Sequence, residues 1–152
     1  MPNAISHLES IYNNPFVFSS IIYHFFSNIA LKDKNILLSY LVLPLVLYPE
    51  TQKFLKNSNI RSSIFTMTSN RKNIYGLEER IIQYGDITNM CIQHNIDNNI
   101  FSIQTNLSVV VNNGKSVKTY NANHVKAAQK LGKLLSPYDV VTCYRTLGVK
   151  RI

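Results

Sequence analysis

Residues 36–48 are apolar apart from Ser39, Tyr40 and the closing Tyr48, with Pro44 in the middle. A helix built from such a run has no polar face to turn toward water, so it must be covered on every side. It is also shorter than the roughly 20 residues that span a bilayer, which makes it a buried core helix rather than a membrane segment. The run therefore predicts a central helix over 36–43, kinked or ended by Pro44, with the rest of the chain wrapped around it.

The flanking segments can provide that cover. Asn13-Asn14-Pro15-Phe16 reads as a helix entrance, because an Asn side chain accepts from free N–H groups and Pro suits the first helical position. From there Phe18, Ile21, Ile22, Phe25, Phe26 and Ile29 recur at spacings of three and four, predicting one apolar face to about residue 29. Lys32-Asp33-Lys34-Asn35 is a polar turn. Pro49-Glu50-Thr51 opens a short helix through Phe54 and Leu55 that stops at Asn57-Ser58-Asn59, and 60–69 is weakly helical.

Glu78 and Glu79 mark a helix start after Gly76, and Gly85-Asp86 reads as a left-handed stop followed by the cap of a second helix over 87–95. Ile100, Phe101 and Ile103, then Leu107, Val109 and Val111, read as two strands around Thr105-Asn106. Helix, helix, hairpin is the order of a winged helix. After the turn Asn112-Asn113-Gly114-Lys115, Asn121 or Asn123 caps a helix to Leu135, and Ser136-Pro137-Tyr138-Asp139 resembles a capping box for a last helix holding Val140, Val141, Tyr144 and Leu147. The expected fold is α+β, mainly α. It is a single domain over 1–152, with an N-terminal helical part to about residue 75, a winged helix-turn-helix-like part over 76–114 and basic C-terminal helices over 115–152.

The charge is +8, and it is unevenly placed. Residues 1–114 hold eight Lys and Arg against seven Asp and Glu, whereas 115–152 hold eight against Asp139 alone. On the helix ending at Leu135, Lys126, Lys130 and Lys133 form a stripe opposite Ala127, Ala128, Leu131, Leu134 and Leu135. A solvated face normally mixes signs, so this stripe, with Lys115, Lys118, Lys150 and Arg151, is the candidate for DNA-backbone contact. Residues 87–95 contain no Arg or Lys, so reading of bases by bidentate Arg is not supported; a winged helix without such contacts is often a protein-binding module, a reading of at least equal weight, and any DNA binding by the chain should be weak and indifferent to sequence.

Little in the chain suggests catalysis. Cys91 and His94 share a helix face, but a structural zinc needs four ligands and Cys143 is distant, so core packing is the expected role. None of the five glycines makes a phosphate-binding pattern. A non-enzyme with no metal and no cofactor is expected. Two cysteines and a start without an apolar leader make the cytoplasm the default compartment.

Several segments together resemble a known family. They are Asn13-Asn14-Pro15-Phe16, the run Leu41-Val42-Leu43-Pro44-Leu45-Val46-Leu47 with Pro49-Glu50-Thr51, and Ala127-Ala128-Gln129-Lys130-Leu131-Gly132-Lys133 followed by Leu147-Gly148-Val149-Lys150-Arg151. In order and spacing they are similar to the middle component of bacterial three-component ABC-type ATPase systems, and to the small accessory subunit of Lamassu-type anti-phage and anti-plasmid systems. The resemblance implies a winged helix and two partners, an SMC- or Rad50-like coiled-coil ATPase that senses foreign DNA and an effector subunit such as a nuclease. It also makes Asn13, Asn14, Pro15, Phe16, Leu147, Gly148 and Val149 candidates for partner contact. The residues leave a second class open, a free-standing winged-helix DNA-binding regulator.

Overall fold

The computed structural model describes residues 15–150, with side chains from Val17 onward. The first helices are α1 (Pro15–Phe26), α2 (Ser39–Val46), α3 (Pro49–Asn57) and α4 (Ile64–Ser69), followed by α5 (Leu77–Asp97). A hairpin of β1 (Phe101–Ile103) and β2 (Val109–Val111) separates α5 from α6 (Ala122–Leu135) and α7 (Val140–Thr146). Short 3₁₀ turns at Asn35–Leu38 and Arg71–Ile74 lead into α2 and α5.

The apolar run does form the centre. Leu41, Val42, Leu43, Leu45 and Val46 have no exposed surface. The helix passes through Pro44 instead of ending there, because complete burial of its neighbours outweighs the one backbone N–H that proline lacks. Phe18, Ile21, Ile22, Phe25 and Phe26 of α1 are buried against it as the spacing predicts, although the helix stops at Phe26 rather than near residue 29. The central pair α1 and α2 is flanked by α5 and α6, each packed on both, so that α5 and α6 lie on opposite sides of it.

The helix-turn-helix expected at Gly85-Asp86 does not form. α5 runs unbroken from Leu77 to Asp97, and Gly85 is an interior helical residue rather than a left-handed stop. A glycine inside a helix costs about 1 kcal/mol. Here Ile87, Thr88, Cys91 and Asn95 are buried along one side, and packing on α1 and α2 holds both halves of the helix in line. What remains of the winged-helix expectation is a long helix followed by a hairpin, paired antiparallel with Ser102 opposite Val110. The hairpin is tied to the core by Asn35, whose Oδ1 accepts the Val109 N–H at 2.7 Å, and by the edge-on contact of Phe26 and Phe101, 5.4 Å between ring centres.

Two corrections concern the C-terminal part. Ser136 ends α6 instead of starting α7. Its hydroxyl accepts the Ala30 N–H at 2.9 Å and donates to the Gly132 carbonyl, while Asp139 caps α7 by accepting the Thr142 N–H at 2.7 Å. At the other end of α7, Gly148 takes φ +75°, its N–H donates to Arg145 and the Val149 N–H donates back to Tyr144. This left-handed exit folds the tail inward, so Leu147 and Val149, proposed above as partner contacts, are buried within the chain's own core at 3% and 7% exposure. Gly148 stays exposed.

Gly132, in the Leu131-Gly132-Lys133 motif, is where α6 crosses the end of α1. A Cβ there would stand 2.7 Å from the Phe25 carbonyl oxygen and 3.2 Å from backbone atoms of Asn28 and Ile29. A Cβ on Gly85, by contrast, would meet nothing within 4 Å. Two substitutions to alanine should therefore act in opposite directions. Gly132→Ala is expected to destabilise by about 1–3 kcal/mol, since the two helices must part. Gly85→Ala should stabilise by about 1 kcal/mol through helix propensity, whereas a left-handed turn at that position would reverse the sign. Urea unfolding of both variants measures this directly.

Burial also holds the imidazoles of His24 and His124 below the ordinary value of 6.5. Because the folded state resists their protonation, the unfolded chain takes up protons first. Stability present above pH 7 should thus decline as the pH falls through 6.5, the unfolded value. Melting temperatures at successive pH values test this, and replacing both residues with Gln should flatten the decline.

Candidate functional site

α3 and α6 pack side by side, with a cleft of about 610 Å³ between them. Lys53 and Lys56, three apart on α3, face Lys126 and Lys130, four apart on α6, and Pro49 and Ala127 contribute the apolar part of the lining. Among the described residues, no carboxylate lines it. Each helix brings its lysines for a local reason, since the buried residues of α6, among them Val125, Ala128, Leu131 and Leu135, take the core side and leave the lysines outward. The pairing of the two lysine rows is tertiary, because the helices are some seventy residues apart in the chain.

The lysines are not equivalent. Lys130 is half-buried, and its ammonium donates to the carbonyls of Lys56 at 2.9 Å and Ser58 at 3.4 Å, closing the C-terminal end of α3. It neutralises the negative end of that helix and so serves the fold first. Lys53, Lys56, Lys126 and Lys133 are exposed. Lys133 lies along a second, shallower cleft with Ser58, Ile60 and Ser62.

The other predicted cations are not gathered here. Lys115 and Lys118 line a separate cleft of about 310 Å³ with Asn95, Asn98 and Tyr120, and the Lys118 ammonium stands 5.2 Å from the Tyr120 ring centre. Lys150 is held at the start of α5, where its backbone N–H donates to Glu78 at 2.9 Å. Arg151, Asn13 and Asn14 lie outside the described residues, and Pro15 and Phe16 form the first residues of α1. Lys53 and Lys56 were missed in the sequence. Their spacing within the predicted short helix marks a shared face, but nothing local reveals which helix that face meets.

Both cysteines are buried. Cys91 is fully buried, and burial pushes its thiol up to about 12, so it carries no thiolate near neutral pH. Cys143 is likewise pushed up to about 11. Among the described residues, no three of His, Cys, Asp and Glu are gathered as a metal site requires, and no helix is long and apolar enough to cross a membrane.

The feature that stands out in this geometry is the lysine-lined cleft between α3 and α6. No curated protein and no solved structure matches the chain. A family model does match, over residues 2–151, and its description is ABC-three component (ABC-3C) system Middle Component 3. That match spans nearly the whole chain, including the apolar helix, the cleft and the Gly132 crossing, and the chain therefore belongs to the Middle Component 3 family, the middle components of ABC-three component defence systems, which work together with the other components of the system.

Proposed function

We propose that the chain is a non-catalytic accessory subunit that joins an SMC- or Rad50-like ATPase to an effector in response to foreign DNA, as in the Lamassu-type systems that its sequence resembles. Family membership supports a role within an assembly. The observation that carries the DNA part is the cleft between α3 and α6, where lysines from two helices converge without a carboxylate among them. Lysines act on phosphates as point charges and read no sequence, so the contact is to the backbone.

The free-standing winged-helix regulator loses its support. The helix preceding the hairpin, which would have to enter the major groove, exposes Glu79, Asp86 and Asp97 and no basic side chain. Its one arginine, Arg80, is engaged by the carbonyls of Pro44 and Tyr75 and lies 3.7 Å over the Tyr48 ring. A helix face of that charge is repelled by DNA.

Changing Lys53, Lys56 and Lys126 together to Glu is expected to weaken DNA binding by the assembled complex and to flatten the slope of log affinity against log salt by about 2.7, at roughly 0.9 per lost phosphate contact. Gel filtration should show the variant still co-eluting with the ATPase and effector. If DNA affinity and slope were unchanged, the cleft would not contact phosphates. If co-elution were lost instead, the lysines would dock an acidic protein surface.

A further inference from the structure

Of the residues that first suggested a partner interface, Leu147 and Val149 are buried and Asn13 and Asn14 lie outside the described residues, yet the surface holds another candidate. Half of the eight acidic residues of this +8 chain, Glu78, Glu79, Asp86 and Asp97, belong to α5. At 3.6 residues per turn, Glu79, Ile82, Asp86, Met90 and Asp97 fall within about 80° of arc on the side facing away from α1 and α2. Ile82 is 82% exposed and Met90 51%, and Tyr75, just before the helix, is 77% exposed. We infer that this outer face of α5 is the docking surface for another protein component, one that presents an apolar depression flanked by Lys or Arg.

Stability does not account for the arrangement. Glu78 and Glu79 suit the positive start of the helix, and Asp97 accepts from the Gln93 amide at 2.8 Å although it lies in the last turn, but Asp86 is a poor helix former placed mid-helix. An isoleucine left open to water gains nothing from burial. Both features are accounted for if a partner buries the apolar side chains and pairs the carboxylates, since charge complementarity at the rim steers encounter and sets register.

The charge also decides what the partner is. Phosphates of nucleic acid and anionic lipid surfaces are repelled by this face. A second copy would offer its own lysine cleft, but two chains of +8 repel each other. A basic protein surface is the occupant that fits. The inference rests on the accessory-subunit reading and adds a place to it: α5 meets protein on one side of the central pair, while the α3–α6 cleft meets DNA on the other.

The test uses the full chain with the purified ATPase and effector components, titrated separately by calorimetry. Ile82→Ser removes the apolar anchor and Asp86→Lys reverses the charge, and both positions are exposed, so the melting temperature should not fall. Each variant is expected to lose about tenfold or more in affinity for one of the two components, about 1.4 kcal/mol. The variant with Glu at 53, 56 and 126 should bind that component as the unsubstituted chain does. If the unsubstituted chain binds a component and both α5 variants bind it equally well, the docking surface is elsewhere. Loss of self-association without loss of component binding would assign the face to a second copy and overturn the inference. If the unsubstituted chain binds neither component, the accessory-subunit reading falls, and the docking surface with it.

Discussion

Everything in this fold follows from α2 having no outside. A helix whose Leu41, Val42, Leu43, Leu45 and Val46 are all sealed from water needs partners around its whole circumference. With fewer than fifty residues before it, the chain must take most of those partners from its C-terminal two thirds. α1 covers one flank, and α5 and α6 close from either side. Each covering helix turns an apolar stripe inward and is left with one polar face outward. The composition of those outward faces is then free of the core's demands. One has become acidic and the other basic.

Several cations that make the chain look uniformly basic are committed to helix ends. The Lys32 ammonium donates to the carbonyls of Leu135 and Ser136, each at 3.0 Å, and to that of Tyr138, gathering the exit of α6 against the loop after α1. Lys130 does the same for α3. Arg80 reaches the carbonyl of Pro44 at 3.0 Å, an oxygen near the end of α2 where the helical partner N–H is missing. These contacts satisfy buried or half-buried acceptors that would otherwise cost about 1–3 kcal/mol each when desolvated. They also mean that net charge overstates what is available to an anionic ligand.

The legible part of the sequence was the part governed by neighbours in the chain. The apolar faces of α1 and α6, the Asn121 cap and the two short strands follow from spacing and turn chemistry, and they form as expected. Gly85-Asp86 misled because the same dipeptide is a stop in isolation and a tolerable interior pair when a helix is held along its length by α1 and α2. Leu147 and Val149 misled for a related reason. An apolar tail looks like a free contact surface until the left-handed Gly148 turns it back into the core. The site was half legible. The lysines of α6 announce themselves by period, whereas Lys53 and Lys56 become part of the same cleft only through the packing of α3 on α6, which no local pattern records. The crowding at Gly132 belongs to the same class, since only the crossing of α1 shows why a side chain is refused there.

A cleft with few uncommitted lysines is well matched to a subunit that works inside an assembly. A handful of phosphate contacts alone gives weak binding at physiological salt, and for a free protein that would be a poor DNA site. On the proposed reading, a chain held against an ATPase that is itself on DNA would make the same contacts intramolecularly at millimolar effective concentration, and their modest free energy would be added to an already bound complex. A denser basic surface would bind DNA of any origin without the ATPase, and an assembly of the proposed kind would lose its dependence on a DNA-sensing component. On the same reading the carboxylates of α5 would keep nucleic acid off the face offered to protein, so the two surfaces would not compete for the same ligand.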